Sequence, residues 1–62
     1  MTQKEVETLT AIRELAATNP GKFATHEQLS TKLVGNFENE LASLVRQGHV
    51  EQLSFEMFKP VA

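Results

Sequence analysis

The 62-residue chain has no cysteine, tryptophan, tyrosine or aspartate, and only three glycines and two prolines. Without cysteine, no disulfide can staple the fold and no thiolate zinc site can form. No apolar run approaches the roughly 18 residues of a membrane span. The start, Met1-Thr2-Gln3-Lys4-Glu5, has neither the basic nor the apolar region of a signal peptide. Together these absences fit a soluble, cytoplasmic protein. There is also no internal repeat, low-complexity tract or linker, so residues 1–62 read as a single domain. A chain this short buries only about 60% of its unfolded surface, which leaves a small core.

Charge is ordinary in amount and slightly one-sided. Eight glutamates face six basic residues, for a net charge of −2. Nucleic-acid binders usually carry a basic excess, because phosphate neutralisation by Lys and Arg supplies most non-specific affinity. Hydrophobic content of 40% with 23% charged residues is that of an ordinary globular chain.

Thr2-Gln3-Lys4-Glu5 has the form of a capping box, with Met1 and Val6 where a hydrophobic staple would stand. Val6, Leu9, Ile12, Leu15 and Ala16 then recur at helical spacing, which predicts an amphipathic helix over 3–18. Pro20 and Gly21 end it. Lys22-Phe23-Ala24 reads as a brief strand that pins Phe23 into the core. Thr25-His26-Glu27-Gln28 is a second capping box, opening a short helix over 26–33 with an apolar edge of Leu29 and Leu33. Gly35 and Asn36 break that helix, and Asn36 is placed to cap the next.

The third helix, 37–47, is the clearest element. Phe37, Leu41, Leu44 and Val45 share one face, while Asn39, Ser43 and Arg46 project from the other beside Ala42. Gly48 stops the helix in a left-handed position. A hairpin over 49–59 follows, its strands His49–Leu53 and Phe55–Lys59 joined at Ser54. Phe23 and Phe37 are expected in the core. Phe55, Met57 and Phe58 crowd three large apolar residues into four positions, so either Phe55 or Phe58 is expected to be exposed as a partner surface or homodimer contact. The alternative is a hairpin lying flat over the first helix and hiding most of this apolar surface.

This order, with Leu29 and Leu33 followed by Leu41, Leu44, Val45, Gly48 and Val50, resembles the winged helix-turn-helix superfamily across nearly the whole chain. The resemblance singles out no family. It implies a mainly α domain of three helices with a small β-hairpin. It also implies double-stranded DNA as partner, read by the third helix in a transcriptional regulator. The implied contacts are Asn36, Asn39, Ser43 and Arg46 in the groove, Thr25, His26 and Lys32 near phosphate, and Lys59 in the wing. Glu38 and Glu40 flank that helix's exposed face and repel phosphate. This supports an alternative function, a protein-interaction module using Phe55 and Phe58 of the hairpin without DNA. His26 and His49 stand far apart, which argues against a metal or other cofactor. No nucleophile accompanies Glu27 and His26, so no enzymatic activity is expected.

Overall fold

The computed structural model describes residues 1–61. The elements are α1 (Gln3–Thr18), β1 (Ala24–Thr25), α2 (His26–Lys32), α3 (Glu38–Gln47), β2 (Val50–Ser54) and β3 (Met57–Pro60). Three helices therefore pack with a small antiparallel sheet in the order β1-β3-β2. The sheet has one strand more than a simple hairpin. Ala24 pairs with Phe58 and Thr25 with Met57, so β1 closes the free edge of β3.

Local chemistry sets the boundaries. The Thr2 hydroxyl accepts from the Glu5 amide at 3.1 Å, while the Thr2 amide donates to the Glu5 carboxylate at 2.7 Å, completing the first capping box. The second is complete as well: the Thr25 hydroxyl accepts from the Gln28 amide and the Gln28 side chain accepts from the Thr25 amide, both at 3.2 Å. After α1, Asn19-Pro20-Gly21-Lys22 forms a turn closed by the Lys22 amide donating to the Asn19 carbonyl at 3.3 Å. Proline in the second position and glycine at φ 84° in the third are the residues a type II turn requires. A Cβ on Gly21 would also lie 2.8 Å from the Phe23 ring. At the other end of the fold Gly48, at φ 84°, caps α3 as the sequence predicts.

Ile12, Leu29 and Leu44, all fully buried, mark the centre where the three helices meet. Leu9, Leu41, Phe37, Val50 and Phe58 surround them, and Leu15, Leu33 and Val45 pack on the outside. Three sequence expectations shift here. Val6 is 44% exposed, and Glu5 and Thr8 take the inward positions instead. Both polar groups are satisfied there: the Thr8 hydroxyl donates to the Lys4 carbonyl at 2.8 Å, and Glu5 is bound from several sides. Phe23 is only half-buried, and the strand it was expected to anchor lies one residue later, with fully buried Ala24 as the inward residue. Phe55 belongs to the turn rather than to a strand, because Ser54 pairs with Met57.

That turn explains the shape of the hairpin. Two-residue turns usually match strand twist by adopting positive φ, but Lys22 is the only non-glycine residue with positive φ among the described residues. A register shift between Gln52 and Ser54 instead leaves Leu53 as a bulge, which adds local twist. The result lifts Phe55 to the tip.

Candidate functional site

The two phenylalanines of the hairpin separate completely. Phe55 is 89% exposed, whereas Phe58 is 4% exposed and belongs to the core. The expectation that Phe58 forms part of an exposed partner surface is therefore corrected. Its pairing with both Ala24 and Gln52 centres it in the sheet and turns it inward against α1 and α3.

Between α3 and the hairpin lies an open groove of about 670 Å³. Leu41, Ala42 and Val45 form the helical wall, and the edges of Phe55 and Phe58 form the opposite one. Charged and polar groups line the rim: His26 and Glu38 at one end, Arg46 along the helix, Gln52 and Glu56 on the hairpin. Two tethers hold this rim. The His26 amide donates to the Glu56 carbonyl at 2.9 Å, joining the start of α2 to the hairpin turn. The His26 ring meets the Glu38 carboxylate and lies 5.1 Å, centroid to centroid, from Phe37. Arg46 and Glu56 form no ion pair among the described residues, so their charges face solvent across the groove.

The other flank of α3 is closed by a polar cluster that sequence reasoning missed. The Ser43 hydroxyl and the Gln47 side-chain amide both donate to the Glu5 carboxylate, the latter at 3.0 Å, and the Gln47 side-chain amide also reaches the Ser43 hydroxyl at 2.7 Å. With the Thr2 amide, these donors hold Glu5, only 7% exposed, as a carboxylate. Hydrogen bonding from Ser43, then from the Thr2 backbone, pulls its pKa down from 4.5 to about 2, against the opposing effect of burial. The signal available in the sequence was a glutamate inside a capping box; its second role depends on a contact 38 residues away.

The remaining candidate residues scatter. The Thr25 hydroxyl is occupied as the cap of α2. Lys32 pairs with Glu14 of α1 at 3.3 Å. The Asn36 side chain accepts from the Glu38 amide at 2.8 Å in the turn ahead of α3, but the capping position itself falls to Phe37, which makes no side-chain capping bond, so Asn36 is not the cap expected from the sequence. Ser43 faces α1 rather than the open side. Asn39 is exposed and, like Arg46, makes no side-chain hydrogen bond among the described residues. Lys59 lies near the far end of β3, beside Arg13 and Lys22 rather than near α3. His26 and Arg46 thus meet at the groove with Phe55, while Lys32, Ser43 and Lys59 do not.

No family model, curated protein or solved structure matches this chain. Among the described residues, no helix is long and apolar enough to cross a membrane.

Proposed function

We propose that this chain is a winged-helix interaction module that takes a protein segment into the groove between α3 and the hairpin. The order helix, strand, helix, helix, hairpin with a three-stranded antiparallel sheet supports the winged-helix part of the reading. The observation that carries the function is Phe55, almost wholly exposed at the mouth of an apolar groove in a domain whose other three phenylalanines are buried or half-buried. A large aromatic beside a concave apolar wall is the usual composition of a binding hot spot. Glu38 and Glu56 outnumber Arg46 on the rim, so the preferred segment presents apolar side chains flanked by Lys or Arg.

A displayed peptide library selected on the immobilised protein tests this. Enriched peptides should share that apolar-basic character. They should lose binding to Phe55→Ser and to Ala42→Arg, which fills the groove, but keep it on Asn39→Ala. Absence of enrichment, or peptides indifferent to both groove variants, rejects the reading.

A second reading, duplex DNA read by α3 in a transcriptional regulator, is favoured by Asn39 and Arg46, which stand open on the solvent side of the helix. Both types can pair with base edges. Glu38, Glu40 and Glu56 nearby oppose phosphate. Titration with mixed duplex at low salt decides it, through backbone shifts centred on Asn39 and Arg46 or their absence.

A further inference from the structure

The net charge of −2 conceals an uneven distribution. Arg13 of α1, Lys22 of the turn after it and Lys59 of β3 line one shallow cavity of about 230 Å³, floored by Ala16, Ala17 and Pro60. Half of the chain's six basic residues thus converge on one place, which shares no lining residue with the α3 groove. Among the described residues, no carboxylate lines it.

Their pairing also differs from that of the other lysines. Lys4 reaches Glu40 at 4.0 Å and Lys32 reaches Glu14 at 3.3 Å, whereas Arg13, Lys22 and Lys59 make no ion pair among the described residues. Glu14, next to Arg13 in sequence, is engaged by Lys32, and Glu51 is the cross-strand neighbour of Lys59 without bridging to it.

Lys22 adds a backbone argument. Its φ is 63°, a left-handed conformation that disfavours any residue with a Cβ. The surrounding turn is clamped. The Asn19 side-chain amide donates to the Phe23 carbonyl at 3.0 Å and to the Gln28 side chain at 2.7 Å, and the Gln28 side chain donates back at 3.2 Å. A residue held in such a conformation by over-determined surroundings is a common mark of function.

We propose that Arg13, Lys22 and Lys59 form a second site, which binds the phosphate backbone of a nucleic-acid duplex without reading its sequence. Three cations without an ion pair among the described residues, set over small side chains, let a polyanion approach closely, and releasing its counterions drives the association. Arg13 brings the planar fork that suits phosphate oxygens. No aromatic lines the cavity, so it offers no platform for unstacked bases, and a duplex is favoured over a single strand. This site goes beyond the groove reading and does not depend on it.

The test is fluorescence anisotropy of a short labelled duplex of mixed sequence with the full chain, over about 50 to 200 mM salt. Three phosphate contacts predict a slope of log affinity against log salt of about −2.7, or roughly 40-fold weaker binding across that range. Arg13→Gln, Lys22→Gly and Lys59→Gln should each flatten the slope by about one. Lys22→Gly suits the left-handed backbone and so keeps the fold, which circular dichroism verifies. Lys4→Gln, which removes a basic residue outside the patch, should bind the duplex as the unchanged protein does. The site is rejected by absence of duplex binding at the lowest salt, or by binding that the three patch variants leave intact. It is also rejected if a polyglutamate peptide, or the corresponding single strand, competes as well as the duplex.

Discussion

The two flanks of α3 differ in what they leave unfinished. Toward α1, Ser43 and Gln47 spend their donors on the buried Glu5 carboxylate, and Lys4 approaches Glu40. Among the described residues no buried side-chain polar atom lacks a partner. Toward the hairpin, Ala42 and Val45 face an open groove, with Phe55 at its mouth and Arg46, which has no ion pair among the described residues, on its rim. One flank has been closed by intramolecular hydrogen bonds; the other offers apolar surface and free charge. In a domain this small, apolar surface left open against an available wall is more informative than a polar residue left in solvent, which any helix shows.

Several substitutions would break or sharpen this contrast. The largest effect belongs to the helix's common seat. Leu44 is fully buried, and Leu44→Ala should cost about 2–5 kcal/mol in urea denaturation, enough to threaten the whole fold and both flanks with it. Gly48→Ala forces a left-handed φ of 84° on a residue with a Cβ and should cost about 1–2 kcal/mol by the same measurement. Thr25→Ala removes the cap at the helix end nearest the groove rim and should cost about 1 kcal/mol.

The closed flank should be sensitive to acid. Because the Glu5 pKa is lowered on folding, its contribution is complete above about 4.5 and is lost as the pH falls toward about 2. Thermal unfolding between those values should therefore show a falling midpoint. Ser43→Ala, which removes the largest cause of the shift, should lower the midpoint at neutral pH and weaken its dependence on pH in that window. On the open flank, Phe55→Ser should change stability by less than about 0.5 kcal/mol while removing peptide binding. A loss of stability there comparable to that of Thr25→Ala would mean that Phe55 serves the fold.

Much of the architecture was legible because its signals are local. Both capping boxes, the Pro20-Gly21 turn and the Gly48 stop act within a few residues, and the helix boundaries fall at or within a residue or so of where they point. What failed was non-local. The apolar pattern of α1 favoured Val6, but Glu5 is drawn inward by donors from α3. The brief strand expected at 22–24 is present but displaced to Ala24–Thr25, because its register is set by pairing with β3 rather than by Phe23. Periodicity placed Ser43 on the exposed face of α3, and only the approach of α1 showed which side of that face was covered. The same limit hid the charge distribution, since Arg13, Lys22 and Lys59 are far apart in sequence and meet only through the packing of β3 on α1.

The central claim, that the hairpin flank of α3 is the docking surface and the α1 flank is structural, is tested most directly by nuclear magnetic resonance shift mapping with a selected peptide. The prediction is that perturbations gather at Ala42, Val45, Arg46, Gln52 and Phe55, while the Gln47 side-chain amide bound to Glu5 stays unmoved. Perturbations centred on Gln47 and the start of α1, or spread evenly over the domain, would contradict it.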